Sequence, residues 1–121
     1  VDGLPALHLV ERWSETIMIS RHWKGIALPG QAESYASHLR HETFPGLAAI
    51  PGFVRATVLC REAEGGTEFL VVTLWESLEA IRAFAGADPE EAVVPAAVRA
   101  MMLDYDRRVV HYEVTDTYPP G

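Results

Sequence analysis

The sequence predicts an α+β domain on the ferredoxin-like plan, β-α-β-β-α-β, with a four-stranded antiparallel sheet and its helices on one face. Three observations carry this. The buried-strand pattern Glu68-Phe69-Leu70-Val71-Val72-Thr73-Leu74 runs directly into an amphipathic helix, Trp75–Gly86. The turn signal Glu64-Gly65-Gly66-Thr67 joins that strand to another pattern before it. A further strand pattern then stands at each end of the domain.

In chain order, Ile17 to Lys24 alternates as a strand and is ended by Gly25. Pro29-Gly30 opens a helix that runs to about Thr43, before Pro45-Gly46, with Ala32, Tyr35, Ala36, Leu39 and Thr43 as its apolar stripe. Pro51-Gly52 is a turn, and Phe53 to Glu62 the second strand. Trp75 closes the third strand. Ser77 is placed to cap the next helix, Glu76 and Glu79 complement its positive end, Leu78, Ile81, Phe84 and Ala85 share its inner face, and Gly86 stops it. Asp88-Pro89-Glu90-Glu91 reads as another helix start, with Pro95 restarting or kinking that helix and Val98, Met101, Met102 and Tyr105 on its inner side. Arg107 to Val114 is the last strand.

The 121 residues suffice for one domain with an ordinary core. The reading divides them into an N-terminal arm (1–15), the folded domain (16–116) and a tail (117–121). The arm lacks the basic-then-apolar pattern of a signal peptide, yet Leu4, Leu7, Leu9, Val10 and Trp13 make it apolar enough to pack on the domain or on a partner subunit. A net charge of −7 argues against a nucleic-acid partner, and no apolar segment is long enough to span a membrane. The one cysteine, Cys60, reads as a small core or interface residue. With no internal disulfide to form, the chain is compatible with a cytoplasmic setting.

The second sheet face is a physical problem for a monomer. Strand 2 offers Val54, Ala56, Val58 and Cys60 on one side and Phe53, Thr57 and Leu59 on the other, and strand 3 is apolar on both. A sheet with one face in water alternates more cleanly. Sheet-to-sheet homodimerisation is the expected remedy.

Several side chains are placed to line a pocket between sheet and helices. Arg21 and Trp23 share one face of strand 1; Ser20, His22 and Lys24 share the other. Phe69, Val71, Thr73 and Trp75 share a face of strand 3, and His111 shares one with Val109 and Glu113. Tyr35, His38 and Glu42 run down one flank of the first helix, beside Leu39, while His41 points to solvent. Each admits a plain structural reading. Trp75 reads equally as a core aromatic or a pocket wall. His38 is a site base or a surface residue paired with Glu42, and His111 a structural histidine or a base. Tyr35 packs helix on sheet. Arg21 is the hardest to treat as structural, because a strand arginine among apolar neighbours needs an anion or carboxylate, with Glu42, Glu113 or the other subunit as candidates. There is no HExxH, GxSxG, phosphate loop, dinucleotide fingerprint or catalytic cysteine motif, so no metal, flavin or nicotinamide is expected.

Met18-Ile19-Ser20-Arg21-His22-Trp23-Lys24-Gly25, the Trp75–Gly86 run and Val109-Val110-His111-Tyr112-Glu113-Val114 together resemble the antibiotic biosynthesis monooxygenase family of dimeric α+β barrels. The resemblance implies cofactor-independent oxygenation of an electron-rich aromatic, such as a phenol, anthrone or quinol. Trp75 would then be the wall, with Trp23, Leu39 and Phe84 also against substrate. His38 or His111 would be the base, and Arg21 or Tyr35 the partner of the developing oxyanion. Haem degradation, seen in some relatives, fits poorly: Ile17 to Lys24 holds no Asn, and no His follows Trp75 before His111. The non-enzyme alternative is a dimeric small-molecule-binding or stress-associated domain. A titratable group facing a closed cavity is expected of the enzyme and not of the binding domain.

Overall fold

The computed structural model describes residues 18–120. The expected arm (1–15) and the expected strand start at Ile17 lie outside the described residues. The order is β1 (Ile19–Ala27), α1 (Ala32–His38), a π-helical turn (Leu39–Thr43), α2 (Phe44–Ala48), β2 (Phe53–Ala63), β3 (Gly66–Trp75), α3 (Leu78–Ala85), α4 (Ala96–Arg99), β4 (Met102–Tyr105) and β5 (Val110–Glu113).

The sheet is antiparallel, in the order β2-β3-β1-β4, with β5 also on β1. β5 takes Ile19–His22 of the β1 edge and β4 takes Gly25–Ala27. Together they fill the one outer position expected for the fourth strand. At the break between them, Asp106 keeps the edge satisfied. Its backbone N–H donates to Lys24 O (2.8 Å), its carboxylate accepts from Lys24 N (3.2 Å), and its carbonyl accepts from Trp23 Nε1 (2.9 Å). The α+β, ferredoxin-like plan is therefore the one observed.

The hairpin and the α3 caps follow the local chemistry. Ser77 Oγ accepts from Ala80 N at 3.1 Å, and Gly86 leaves the helix at φ +95°. Gly52 is required twice over at the preceding turn. Its φ is +97°, and a Cβ there would stand 2.6 Å from Ala80 Cβ on α3.

Elsewhere tertiary demands override local signals. The first helix does not end before Pro45-Gly46 but continues to Ala48. The π turn makes this possible: Phe44 N–H reaches back five residues to Leu39 O, and the wider turn gives the proline ring room against the preceding carbonyls. No helix forms at 88–94. Asp88 does cap, accepting from Glu90 N at 3.1 Å, but what it closes is a turn. Helix α4 is only Ala96–Arg99, because Met102–Tyr105 is drawn into the sheet by the open β1 edge. The last strand is correspondingly shorter than Arg107–Val114. β1 itself runs through Gly25 to Ala27. A bulge between Phe53 and Arg55 turns Phe53 to the helix side, where its ring meets Trp75 edge-on at 5.3 Å. Cys60 is exposed, not in the core.

Two apolar clusters hold the helices on the inner sheet face. One joins Tyr35, Leu39, Phe69, Val71, Val98 and Met102, with Trp23 against it. The other joins Ile19, Leu47, Trp75, Leu78 and Ile81, with Phe53 and Phe84 against it. On the outer face, Leu59, Val110 and Tyr112 are about half exposed, at 50, 49 and 54 %.

Trp75, fully buried, is the largest residue of its cluster. Trp75→Ala should lower folding stability by about 3–5 kcal/mol in urea unfolding. A loss below about 1 kcal/mol would remove Trp75 from the core.

Candidate functional site

The inner sheet face carries one polar row between the two apolar clusters. Thr73 of β3 stands opposite Arg21 of β1, and Arg21 stands opposite His111 of β5. All three are buried, at 6, 4 and 9 % exposure. Facing residues of adjacent strands point to the same side of a sheet, so the row is a direct consequence of register.

Arg21 is its centre. Nη1 donates to Pro89 O and to His111 Nε2 (3.1 Å), and Nη2 donates to Glu91 O (2.9 Å). Among the described residues of this chain no carboxylate, Glu42 and Glu113 included, forms an ion pair with Arg21. Backbone carbonyls take its place. Burial pulls its pKa down to about 10, so the guanidinium remains charged at neutral pH. Its carbon lies 5.5 Å from the centre of the Phe84 ring, a cation–π contact. An arginine can only donate, so His111 Nε2 must be the acceptor and carries no proton in this bond. Burial, and secondarily the Arg21 charge, push His111 down to about 4.

Arg21 also ties down the segment between α3 and α4. From outside, Arg108 pairs with Asp88 (3.0 Å) and Glu90 (3.1 Å). Backbone bonds Ala92 N→Arg107 O and Val109 N→Glu90 O complete the attachment. This is why Asp88–Val94 forms a strap, not a helix.

Above the row lies a cavity of about 480 Å³. Its floor includes Arg21, Thr73, Trp23 and Val71; its walls include Tyr35, His38 and Leu39 on the first helix, Phe84 on α3 and Val98 on α4. The π turn contributes directly. His38, Leu39, Glu42 and Thr43 all reach the cavity, a spacing of four and five residues that suits a widened turn. Exposed Glu42, Gly46 and Val93 bound its mouth, so it opens to solvent and is not the enclosed pocket expected. The Tyr35 ring meets Phe69 edge-on at 4.9 Å, and burial raises the pKa of its hydroxyl.

Six of the eight expected site residues therefore surround one space: Arg21, Trp23, Tyr35, His38, Leu39 and Phe84. Trp75 and His111 stand behind it. Trp75 is sealed below the surface, stacked on Phe84 at 6.0 Å and donating from Nε1 to Thr73 Oγ1 at 2.8 Å. The wall expected of Trp75 is the Phe84 ring that it supports. His111 faces Arg21 across the strands. Thr73 carries no sequence signal of a site residue beyond the alternation that puts it on the inner face; its register with Arg21 singles it out. His41 is exposed and bonds to Ser37, as expected of a solvent-facing residue.

The arrangement sets a fixed cation at the base of a largely apolar cavity and an imidazole on its wall. Among the described residues no group of three metal-ligating side chains comes together, and no helix is long and apolar enough to cross a membrane.

A family model described as antibiotic biosynthesis monooxygenase matches residues 18–95. Solved structures share the fold. A mutant of SnoaB, a cofactor-independent oxygenase of Streptomyces nogalater, is 20 % identical with a TM-score of 0.60, covering 85 % of this chain and 98 % of its own. A monooxygenase of Streptomyces coelicolor, solved with the ligand nanaomycin D, is 20 % identical with a TM-score of 0.60, covering 88 and 94 %. A haem-degrading protein of Mycobacterium tuberculosis is 21 % identical with a TM-score of 0.57, covering 88 and 100 %. No protein of curated function matches the sequence significantly.

His111 links the row to pH. Its folded pKa, about 4, lies below the ordinary 6.5, so between those values the unfolded chain binds a proton that the folded chain does not. Its contribution to stability is fully present above about pH 6.5 and is lost as pH falls towards 4. His111→Gln, which keeps an acceptor for Arg21, should flatten the fall in stability across that window in unfolding curves. An unchanged pH profile would show that His111 does not titrate in this way.

Proposed function

The chain belongs to the antibiotic biosynthesis monooxygenase family, and on that premise we propose that it is a cofactor-independent monooxygenase acting on an electron-rich aromatic of phenol, anthrone or quinol type. The observation that carries this is the Arg21 cation, which pairs with no carboxylate among the described residues, at the base of a largely apolar cavity with His38 on the wall. Such a substrate does its own redox work, and the protein needs only to remove a proton and stabilise the anion left behind.

In this reading His38 takes the proton, because it is the imidazole that lines the cavity. His111 suits the role poorly. Its Nε2 lone pair is held by Arg21 and its basicity is depressed, so it positions the guanidinium. The buried Tyr35 hydroxyl serves as a neutral donor. For an anthrone, loss of a methylene proton gives a carbanion whose charge rests on the ring oxygen beside Arg21. The carbanion passes an electron to O2, the two radicals join as a peroxide, and His38 returns the proton. Loss of the second methylene proton then breaks the O–O bond. Anthrone and O2 become quinone and water, with all electrons drawn from the substrate.

Haem is not supported as a ligand. The cavity imidazole sits on the first helix, whereas α3, the helix after Trp75, carries no histidine.

We further propose a homodimer through the outer sheet face. Leu70, Val72 and Leu74 of β3 point there with Leu59 of β2 on one side and, across the polar Ser20, His22 and Lys24 of β1, Val110 and Tyr112 of β5 on the other. Light scattering at micromolar concentration should give twice the chain mass. A monomer would count against this assembly.

Oxygen uptake with a panel of anthrones and hydroquinones tests the activity. His38→Ala should reduce turnover about a hundredfold or more, while His41→Ala, which alters only an exposed imidazole, should not. Absence of uptake with every substrate would make a non-catalytic binding domain the better account, and full turnover by His38→Ala would remove His38 as the base.

A further inference from the structure

We infer that Thr73 is a substrate-recognition residue: with Arg21 it forms a two-donor seat for one oxygen atom of the bound aromatic. The Trp75 indole N–H can only donate, so in its 2.8 Å bond the Thr73 hydroxyl oxygen is the acceptor. The hydroxyl proton must then point elsewhere. Among the described residues no acceptor is in place for it, although Thr73 is 94 % buried by its 6 % exposure and lines the cavity. A buried donor left without a partner is destabilising, unless a ligand or water takes it.

The neighbouring position supplies the second donor. Arg21 is the cross-strand partner of Thr73 on the same face. Of its five N–H groups, three are committed to Pro89 O, Glu91 O and His111 Nε2, which leaves others for the cavity. Arg21 cannot swing away, because the strap holds it. Thr73 cannot turn its oxygen away without orphaning the Trp75 N–H in the core. The two donors are thus fixed side by side at the base of the slot. Phe84, stacked on Trp75, closes that side. The ligand that fits is a flat apolar ring bearing a phenolic or enolic oxygen directed inward, bound better as its anion. Trp75 acts here through Thr73: it is a positioning residue.

The class of ligand rests on the oxygenase reading, but the test is one of binding. The probes are 1-naphthol, whose neutral and anionic forms differ in absorption and emission, and naphthalene, which lacks the oxygen. Wild type should bind 1-naphthol more tightly than naphthalene and lower the pH at which bound 1-naphthol ionises. Thr73→Val removes the donor and keeps the shape. It should weaken 1-naphthol binding about tenfold, leave naphthalene unchanged, and raise the bound ionisation midpoint by about one unit. Thr73→Ser should restore both. If Thr73→Val does not fold, Thr73→Cys replaces it, since a thiol keeps a weak acceptor for the indole but donates poorly. The inference is overturned if wild type shows no preference for 1-naphthol, if Thr73→Val behaves as wild type, or if Thr73→Ser fails as Thr73→Val does. Binding that follows Thr73 without any oxygen uptake would leave the seat standing and remove the oxygenase reading. Oxygen uptake with binding indifferent to Thr73 would do the reverse.

Discussion

Burying the Arg21 guanidinium in the middle of the sheet is the constraint on which the rest of this fold turns. A charge at 4 % exposure, with no carboxylate paired to it among the described residues, must be met by well-placed acceptors or the domain does not form. The chain meets it with two carbonyls of the strap and a neutral imidazole from β5. Each has a structural consequence. The carbonyls are free to accept only because Asp88–Val94 is not a helix. The imidazole accepts only while deprotonated, which couples the edge strand to pH. The row also keeps the two apolar clusters from merging, and the cavity is the space left over it.

The same constraint ties architecture to chemistry. A cation already satisfied by dipoles retains its charge for a ligand, which a salt-bridged arginine would not. Tyr35, Leu39, Val71 and Phe84 line the space beside Arg21 with apolar surface, so a charge developing there is felt more strongly than in water. The π turn adds the complementary group, carrying His38 over the floor while Glu42 remains at the mouth.

Legibility in the sequence followed how local the determining physics was. Ser77, Gly86 and the Glu64–Thr67 turn act within a few residues, and the hairpin and α3 stand where they were expected. Strand alternation likewise put Arg21, Trp23 and Thr73 on the inner face. The 88–105 stretch misled because its signals are truly helical: an Asp, then a Pro, then acids. What overrides them is Arg21, nearly seventy residues earlier. The Phe53 bulge and the π turn are each a one-residue adjustment in register, invisible to periodicity. Trp75 ends a buried strand beside a capped helix, a position that suits a pocket wall and a core residue equally, and its 0 % exposure puts Phe84 between it and the cavity. Thr73 gave no signal of its own. Its meaning comes from two partners, one two residues away and one across the sheet.

The most direct test of this account is a crystal structure of the protein with a hydroxylated aromatic in the cavity. The account requires an oxygen of the ligand within hydrogen-bond distance, about 3 Å, of both Arg21 and Thr73, with the rings between Phe84 and the first helix. A ligand that lays hydrocarbon on the polar row and turns its oxygens to the mouth would contradict it.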